Sequence, residues 1–397
     1  MHHGTDPAVP IRSVDDPARS WHDRWCDWRD RLLASRLFQR RAAAFALTRP
    51  IARRRASQLF DLVAGFVYSQ VLLACIRLRL FEILADGPQS LEALAGRLNL
   101  PEDATERLLA AAVALKLVQH RSRGRYGLGP LGAPLVGDTA ISAMVEHHAA
   151  LYADLRDPVA LLRGQVEGAA LARYWPYAAA QAPGSLSGER VLEYSALMSA
   201  SQPLIAEQVL AAYPFARHRC VLDVGGGEGV FLKAVAAQAP RLRLMLFDLP
   251  AVAERAALRL QEAGLAGRCQ ISGGSFFDDP LPLGADLVTL VRVMFDHSDE
   301  RALQILKAAR QALPADGTLL IAEPMSDTPG AQAMGDAYFG FYLLAMGKGR
   351  SRSVADLTKL LHAAGFGQVR LLRTHMPLQT QVLVARAESP PGAAQVP

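Results

Sequence analysis

Residues 219–250, RCVLDVGGGEGVFLKAVAAQAPRLRLMLFDLP, constrain the fold more than any other stretch of the chain. The apolar run Cys220 to Val224 ends in three consecutive glycines, Gly225 to Gly227. An amphipathic segment with helical spacing follows from about Val230 to Gln238, and a second apolar run, Leu242 to Phe247, ends in Asp248. Strand, glycine turn, helix and strand with a terminal acid form one half of a nucleotide-binding α/β sheet. Glycines let such a turn bend sharply and let a ligand approach where a Cβ would collide. The helix N-terminus behind them offers free N–H groups and a partial positive charge.

The glycine spacing separates the ligand classes. A dinucleotide fingerprint needs G-x-G-x-x-G, but from Gly225 the last position is Val230 and from Gly227 it is Leu232. No lysine of a triphosphate-binding loop follows. What stands there is D-x-G-x-G-x-G: Asp223, Gly225, Gly227 and Gly229. This pattern resembles the first motif of class I S-adenosylmethionine-dependent methyltransferases. The resemblance implies a glycine turn around the amino-acid end of that cofactor and a carboxylate, Asp248, on its ribose hydroxyls. The plainer alternative is an ordinary glycine turn with Asp248 as a helix cap.

Composition sets the outer limits. With 397 residues, 51% hydrophobic and 20% charged, the chain is globular in character and long enough for two domains. No uninterrupted apolar run reaches the ~18–20 residues of a membrane span. The longest candidate, Leu62 to Ile76, contains Tyr68, Ser69 and Gln70. The first thirty residues are polar, and no secretory signal is expected. Cys26, Cys75, Cys220 and Cys269 are widely spaced without a C-x-x-C pair, which suits reduced thiols in a cytoplasmic protein and suggests no metal site.

The net charge of +5 is unevenly placed. Residues 1–55 read as a basic aromatic arm whose first twenty residues are loose. From Trp21 to Arg55 there are ten arginines against three acids, interleaved with Trp21, Trp25, Trp28, Phe38 and Phe45. Such a segment lies on a membrane interface or docks on a partner subunit. Residues 56–190 read as a helical domain: a strongly apolar helix over Leu59 to Leu84, a helix Leu91 to Leu98 capped by Ser90, and a helix from Glu102 to Leu117. A hairpin with the basic tip Arg121, Arg123 and Arg125 completes a winged-helix pattern. A DNA-binding regulator is therefore a rival reading. However, Glu102, Asp103 and Glu106 at the contacting end of the recognition helix would repel phosphates, which favours a dimerisation module with no nucleic-acid partner. Helical segments from His147 to about Leu162 and from Val191 to Leu210 lead into residues 191–387, a seven-stranded, doubly wound, Rossmann-like sheet. Residues 388–397 are a flexible tail.

With these pieces placed, residues 56–387 resemble the plant-type O-methyltransferase family. The resemblance rests on VLDVGGGEG, FDLP, MFDHSDE at 294–300, IAEP at 321–324 and AAGF at 363–366. LTRPIARRRASQLFDLVAGFVYSQ at 47–70 and LVRVMFDHSDE at 290–300 bring it nearest to bacterial carotenoid O-methyltransferases of the hydroxyneurosporene and demethylspheroidene type. That implies a homodimer methylating a tertiary C-1 hydroxyl of a long polyene. It also implies Arg292 on the cofactor, beside Asp248 and the D-x-G-x-G-x-G residues. At the place of the family's adenine-contacting Asp-Met pair stand Ser275, offering one hydrogen bond in place of a carboxylate, and Phe276, offering a ring to stack on adenine. A C-methyltransferase on a bacteriochlorophyll precursor and a phenol O-methyltransferase remain as alternatives.

The departures bear on mechanism. Phenol-methylating members carry L-H-D-W, but here Phe295 takes the histidine's place and His297 the tryptophan's. Of the two acids that orient that histidine, Glu323 matches the first, and Ser351 stands at the second. His297 is then the nearest candidate base, with Glu323 orienting it or a water, while Asp296 and Asp299 read as helix-start residues. His297 as a polar residue capping the next helix is the plainer alternative. Residues 333–346, AMGDAYFGFYLLAM, are soft and aromatic. They suit either a buried helix or an apolar substrate pocket built from Phe295, Met334, Tyr338 and Tyr342. His147 and His148 reach toward the site from the helical domain, but adjacent residues occupy different helix faces and suit no shared metal.

Overall fold

In a computed structural model, residues 20–166, 168–174 and 188–388 are described. The N-terminal segment expected to be loose, up to residue 19, and the expected tail from residue 389 lie outside them. The chain divides into two compact units, one of residues up to Leu80 with Gln89–Gly127, the other of Phe81–Pro88 with the chain from Leu128 onward.

The first unit opens with helices Trp21–Ala34 and Arg36–Ala44, whose first turns are capped by the Ser20 and Ser35 hydroxyls. A helix Arg49–Arg77 follows, with Pro50 in its first turn. It starts ten residues before the apolar pattern does, because the arginines at 53–55 are good helix formers and carry the ladder back into the basic segment. At 29 residues it is long and apolar enough, by length and composition, to cross a membrane. Tyr68, Ser69 and Gln70 interrupt its apolar run, so that no single stretch of the sequence carries this property. Leu59, Phe60, Leu62, Val63 and Phe66 are exposed along it, and Trp21, Trp25 and Trp28 are exposed on the first helix.

The winged-helix pattern is present. Helix Leu91–Leu98 is capped by Ser90 and closed by Asn99 in the left-handed region, and Glu102–Ala114 follows with Glu102 and Asp103 in its first turn. Strands β1 (Val118–Arg121) and β2 (Arg125–Leu128) form the wing, and a bridge from Gln89 to Tyr126 extends it.

The second unit holds the sheet. Its strands are β3 (Cys220–Val224), β4 (Arg243–Asp248), β5 (Cys269–Gly273), β6 (Leu287–Val291), β7 (Thr318–Glu323), β8 (Phe366–Leu372) and β9 (Gln381–Ala387). Their order is β5-β4-β3-β6-β7-β9-β8, and every pairing is parallel except the two made by β9. β3, β6 and β7 are buried along their whole length, as strands covered on both faces must be. Period-two alternation sorts their side chains between two cores. Leu222, Val288 and Leu319 pack toward Ile305 and Leu361, whereas Val221, Leu287 and Leu320 pack toward Phe231, Leu260 and Val209.

The strand order reverses between β3 and β6, so a crevice opens beyond their C-terminal ends, where open α/β sheets bind ligands. Helix Gly188–Ala212, with Pro203 inside it, lies on one side of that crevice. Strand β6 stops at Val291, because Arg292 adopts a left-handed φ of 60° and the chain turns into a 3₁₀ turn, Met294–Asp296.

Candidate functional site

The crevice is lined from the glycine turn by Gly225, Gly226, Gly227 and Glu228, from β4 by Asp248, and from the turn after β5 by Ser275, Phe276 and Phe277. Arg292, Asp296 and His297 line it from the turn after β6, and Met198, Ser199 and Gln202 from helix Gly188–Ala212. Two of the turn glycines are fixed by space as well as by φ. A Cβ on Gly225 would stand 2.8 Å from Val293 Cγ2, and one on Gly229 2.9 Å from Leu260 Cδ1. Gly227, at φ 58°, differs: a Cβ there meets no protein atom within 4 Å, so its open side belongs to the crevice.

Asp248 closes the turn. Its Oδ2 accepts the Gly227 N–H at 2.8 Å and its Oδ1 the Leu249 N–H at 2.7 Å. A carboxylate has about four acceptor sites, so those facing the crevice are still available for hydroxyls. Burial pushes its pKa up to about 6, against the two N–H bonds and the Arg255 charge. Asp223 does not line the crevice. It is buried under the turn, accepts from Thr289 Oγ1 at 2.6 Å, and is pushed up to about 7 by burial. Glu228, which sequence reasoning passed over, is held by Ser199 Oγ at 2.8 Å, by Arg255 at 3.2 Å and by Arg259 at 2.8 Å. Ser275 Oγ accepts from the Phe277 N–H at 3.3 Å, which fixes the turn that presents the Phe276 ring.

The turn after β6 is clamped from both flanks. The Phe295 N–H donates to Glu323 Oε2 at 3.1 Å, and the Phe295 carbonyl accepts from the Arg350 N–H at 2.8 Å. The fully buried Arg352 donates to the Met294 carbonyl at 2.7 Å and to the His297 carbonyl at 2.6 Å. Arg292 donates to Ser201 Oγ at 2.7 Å. The next helix starts at Asp299 with Ser298 as its cap, so neither Asp296 nor His297 caps it. Asp296 is not a helix-start residue at all. It sits three positions upstream, facing the crevice, and one of its oxygens is buried without a partner.

His297 stands edge-on to Phe276 and Phe277, with centroids 5.6 and 5.3 Å away. Burial, and the charges of Arg301 and Arg352, push it down to about 3, so it is neutral and a weak base. Glu323 is wholly buried behind the turn and does not line the crevice; burial raises it to about 7.

Phe295, Tyr338 and Tyr342 gather with Phe339 in one aromatic cluster beside the crevice, and Met198 belongs to both. Met334 lies outside that cluster and outside the crevice, in a π-helical turn, Ala333–Tyr338, where Gly335 packs against the Met325 carbonyl. His147 and His148 do converge on this cluster. Their Nε2 atoms are each 2.8 Å from a phenol oxygen, of Tyr342 and of Tyr338 respectively.

A glycine turn with an open side, a carboxylate at the strand end, an aromatic platform and an apolar wall make a place for a small charged cofactor next to a hydrophobic reactant. Comparison with known proteins agrees with this geometry. The family model of the O-methyltransferase domain matches residues 152–367, and that of the O-methyltransferase dimerisation domain residues 60–138. The demethylspheroidene O-methyltransferase of Cereibacter sphaeroides is 46% identical over 355 residues, 89% of this chain and 93% of that one. Its counterpart in Rhodobacter capsulatus is 43% identical over 341 residues, 84% and 83% of the two chains. Among solved structures, LaPhzM superposes with a TM-score of 0.67 at 27% identity, covering 84% of this chain and 99% of that one. Human N-acetylserotonin methyltransferase in complex with SAM shares the fold, with a TM-score of 0.69 at 24% identity, over 84% and 98% of the two chains.

Proposed function

Because this chain belongs to the O-methyltransferase family, we propose that it transfers the methyl group of S-adenosylmethionine to the tertiary C-1 hydroxyl of an acyclic hydroxycarotenoid. The residues of the crevice fit that cofactor: Gly227 leaves room for its amino-acid end, Asp248 has acceptor sites left for ribose hydroxyls, and Phe276 offers a face for adenine. The cofactor supplies an activated methyl group; the chain's residues orient it and exclude water. Glu228 and Arg292 belong to the shell that holds the two sides of the crevice in place.

The observation that carries the substrate class is Phe295. The place that phenol-methylating members give to a histidine is here an apolar ring, buried in the aromatic cluster with Tyr338 and Tyr342. Such a ring suits a hydrocarbon chain with a hydroxyl at its end and sets no imidazole where phenol-methylating members have theirs. Both demethylspheroidene enzymes among the relatives bear the name of such a substrate. The acids at Glu102 and Asp103 weigh against the DNA-binding reading.

The partner surface follows from the first unit. The exposed apolar side of helix Arg49–Arg77 falls largely within the dimerisation match and pairs with a second copy. The exposed tryptophans and arginines of residues 21–47 rest on the cytoplasmic face of the membrane that holds the pigment.

Incubation with methyl-labelled cofactor and a pigment extract tests the reaction. Label in a methoxy-carotenoid is the expected result. Label confined to a tetrapyrrole or a phenol would replace the substrate assignment.

A further inference from the structure

Among the described residues, four carboxylates have a buried oxygen without a hydrogen-bond partner: Glu82, Asp223, Asp296 and Glu323. Of these, Asp296 is the one that lines the crevice. The backbone groups flanking it are satisfied. The Phe295 N–H is taken by Glu323, the Phe295 carbonyl by Arg350, and the Met294 and His297 carbonyls by Arg352. The turn is thus held rigidly by everything except the Asp296 side chain. A buried carboxylate oxygen left unpaired at the wall of a crevice is destabilising and calls for a role.

We propose that Asp296 is the base of the methyl transfer: its carboxylate takes the proton of the substrate hydroxyl while the hydroxyl oxygen bonds to the methyl carbon and the carbon–sulfur bond breaks, its electron pair returning to sulfur. This rests on the reading of the crevice as an O-methylation site. The two other candidates serve less well. The His297 ring is edge-on to two phenylalanines and too weakly basic. Glu323 gives one oxygen to the Phe295 N–H and does not reach the crevice.

The surrounding charges describe how such a base is switched on. Burial raises Asp296 well above the ordinary carboxylate range, Arg292 pulls it back, and Glu323 pushes it further up. His297 next to it is neutral, and the Tyr338 phenol, facing Arg292, is pushed up to about 12 by burial. Burial and the Glu323 charge hold the Asp296 carboxyl back from its charged form, and a sulfonium cation in the same crevice draws it toward the anion, because an opposite charge close by favours the charged form. After transfer the sulfur is a neutral thioether, and Asp296 retains the proton it has taken.

Calorimetric titration at neutral pH, in buffers of different ionisation enthalpy, tests this on the whole protein. S-adenosylmethionine should release protons from the parent protein, and S-adenosylhomocysteine should release fewer. Asp223, Asp248 and Glu323 are also raised and contribute to both proteins, so the difference between parent and Asp296→Asn is the reading that counts. The Asn variant, the same size as the parent residue, should bind the cofactor and lose that difference. On hydroxycarotenoid, its kcat should fall ~10²–10⁴-fold with KM within about three-fold. Asp296→Glu should recover part of the rate. Proton release retained in the Asn variant, or a kcat within about three-fold of the parent, overturns the proposal. A parent that methylates no carotenoid but shows the Asp296-dependent release would remove the substrate reading and keep the base.

Discussion

Arg352 and Asp299 form an ion pair in which the cation is wholly buried and the anion is not: Nε lies 2.8 Å from Oδ1, with the side chains 0% and 43% exposed. Arg350 reaches the other oxygen of Asp299 at 2.6 Å. Asp299 looks like a surface acid at the start of a helix, yet it is the carboxylate hydrogen-bonded to the buried arginine that clamps the Met294–His297 turn.

Asp299→Asn should therefore destabilise more than a surface substitution does. Leaving a buried arginine without its carboxylate costs ~3–5 kcal/mol in a fully buried pair; with water reaching Asp299, about 2–3 kcal/mol is expected. Urea unfolding of the two proteins measures it. A loss below about 0.5 kcal/mol would place the compensation for Arg352 elsewhere.

Asp248→Ala should weaken S-adenosylmethionine binding by roughly ten-fold or more, the equivalent of a charge-assisted hydrogen bond of ~1.5–3 kcal/mol. Calorimetry with the variant checks this, and unchanged affinity would exclude the residue. Gly227→Val should lose more. Its φ of 58° strains any side chain, and the added carbons project into the open side of the turn.

How much of this was legible beforehand differs residue by residue. The sheet was, because buried parallel strands read as unbroken apolar runs, and Asp248 was, because it ends one of them. Glu228 looked like filler among glycines; its partners Ser199, Arg255 and Arg259 come from distant segments. Arg352 sits in an Arg-Ser-Arg string that reads as solvated, and its burial depends on carbonyls more than fifty positions away. Asp296 was misread as a helix-start acid because acids before a helix ordinarily are. Ser298 takes the cap, and the left-handed Arg292 re-aims the turn.

Phe295→His should not raise turnover. The ring is buried, and an imidazole there would find Glu323 but, at the place of the second orienting acid, only Ser351, whose hydroxyl is itself buried and unpaired. A polar group without adequate partners costs ~1–3 kcal/mol. A kcat above the parent's on the same hydroxycarotenoid would contradict this.

Acid sensitivity has an identifiable source in His297. The unfolded chain takes up its proton near pH 6.5, whereas the native site resists it down to about 3. The stability is complete above the unfolded value and is lost as pH falls toward the native one, by roughly 2 kcal/mol between pH 6.5 and 5. His297→Leu should show a smaller drop in urea midpoint over that interval. An equal drop in both proteins would assign the effect to other histidines whose pKa is lowered, such as the half-buried His147.

Removing residues 1–47, which spares helix Arg49–Arg77, should reduce flotation with anionic liposomes more than it reduces turnover of detergent-solubilised substrate. Each arginine near an anionic surface contributes ~1 kcal/mol, and exposed tryptophans anchor at the headgroups. Equal flotation with and without the segment would leave it as a contact between subunits.

Helix Gly188–Ala212 ties the two banks of the crevice with residues two apart: Ser199 holds Glu228 of the glycine turn and Ser201 holds Arg292 beyond β6. Pro203 follows at once and lacks the N–H that would bond back to the Ser199 carbonyl, so the helix is weakest just where it is fastened. A bend there tugs on both banks together. The glycine turn and the turn after β6 thus share one anchor, and a displacement of either is felt by the other through three residues of helix.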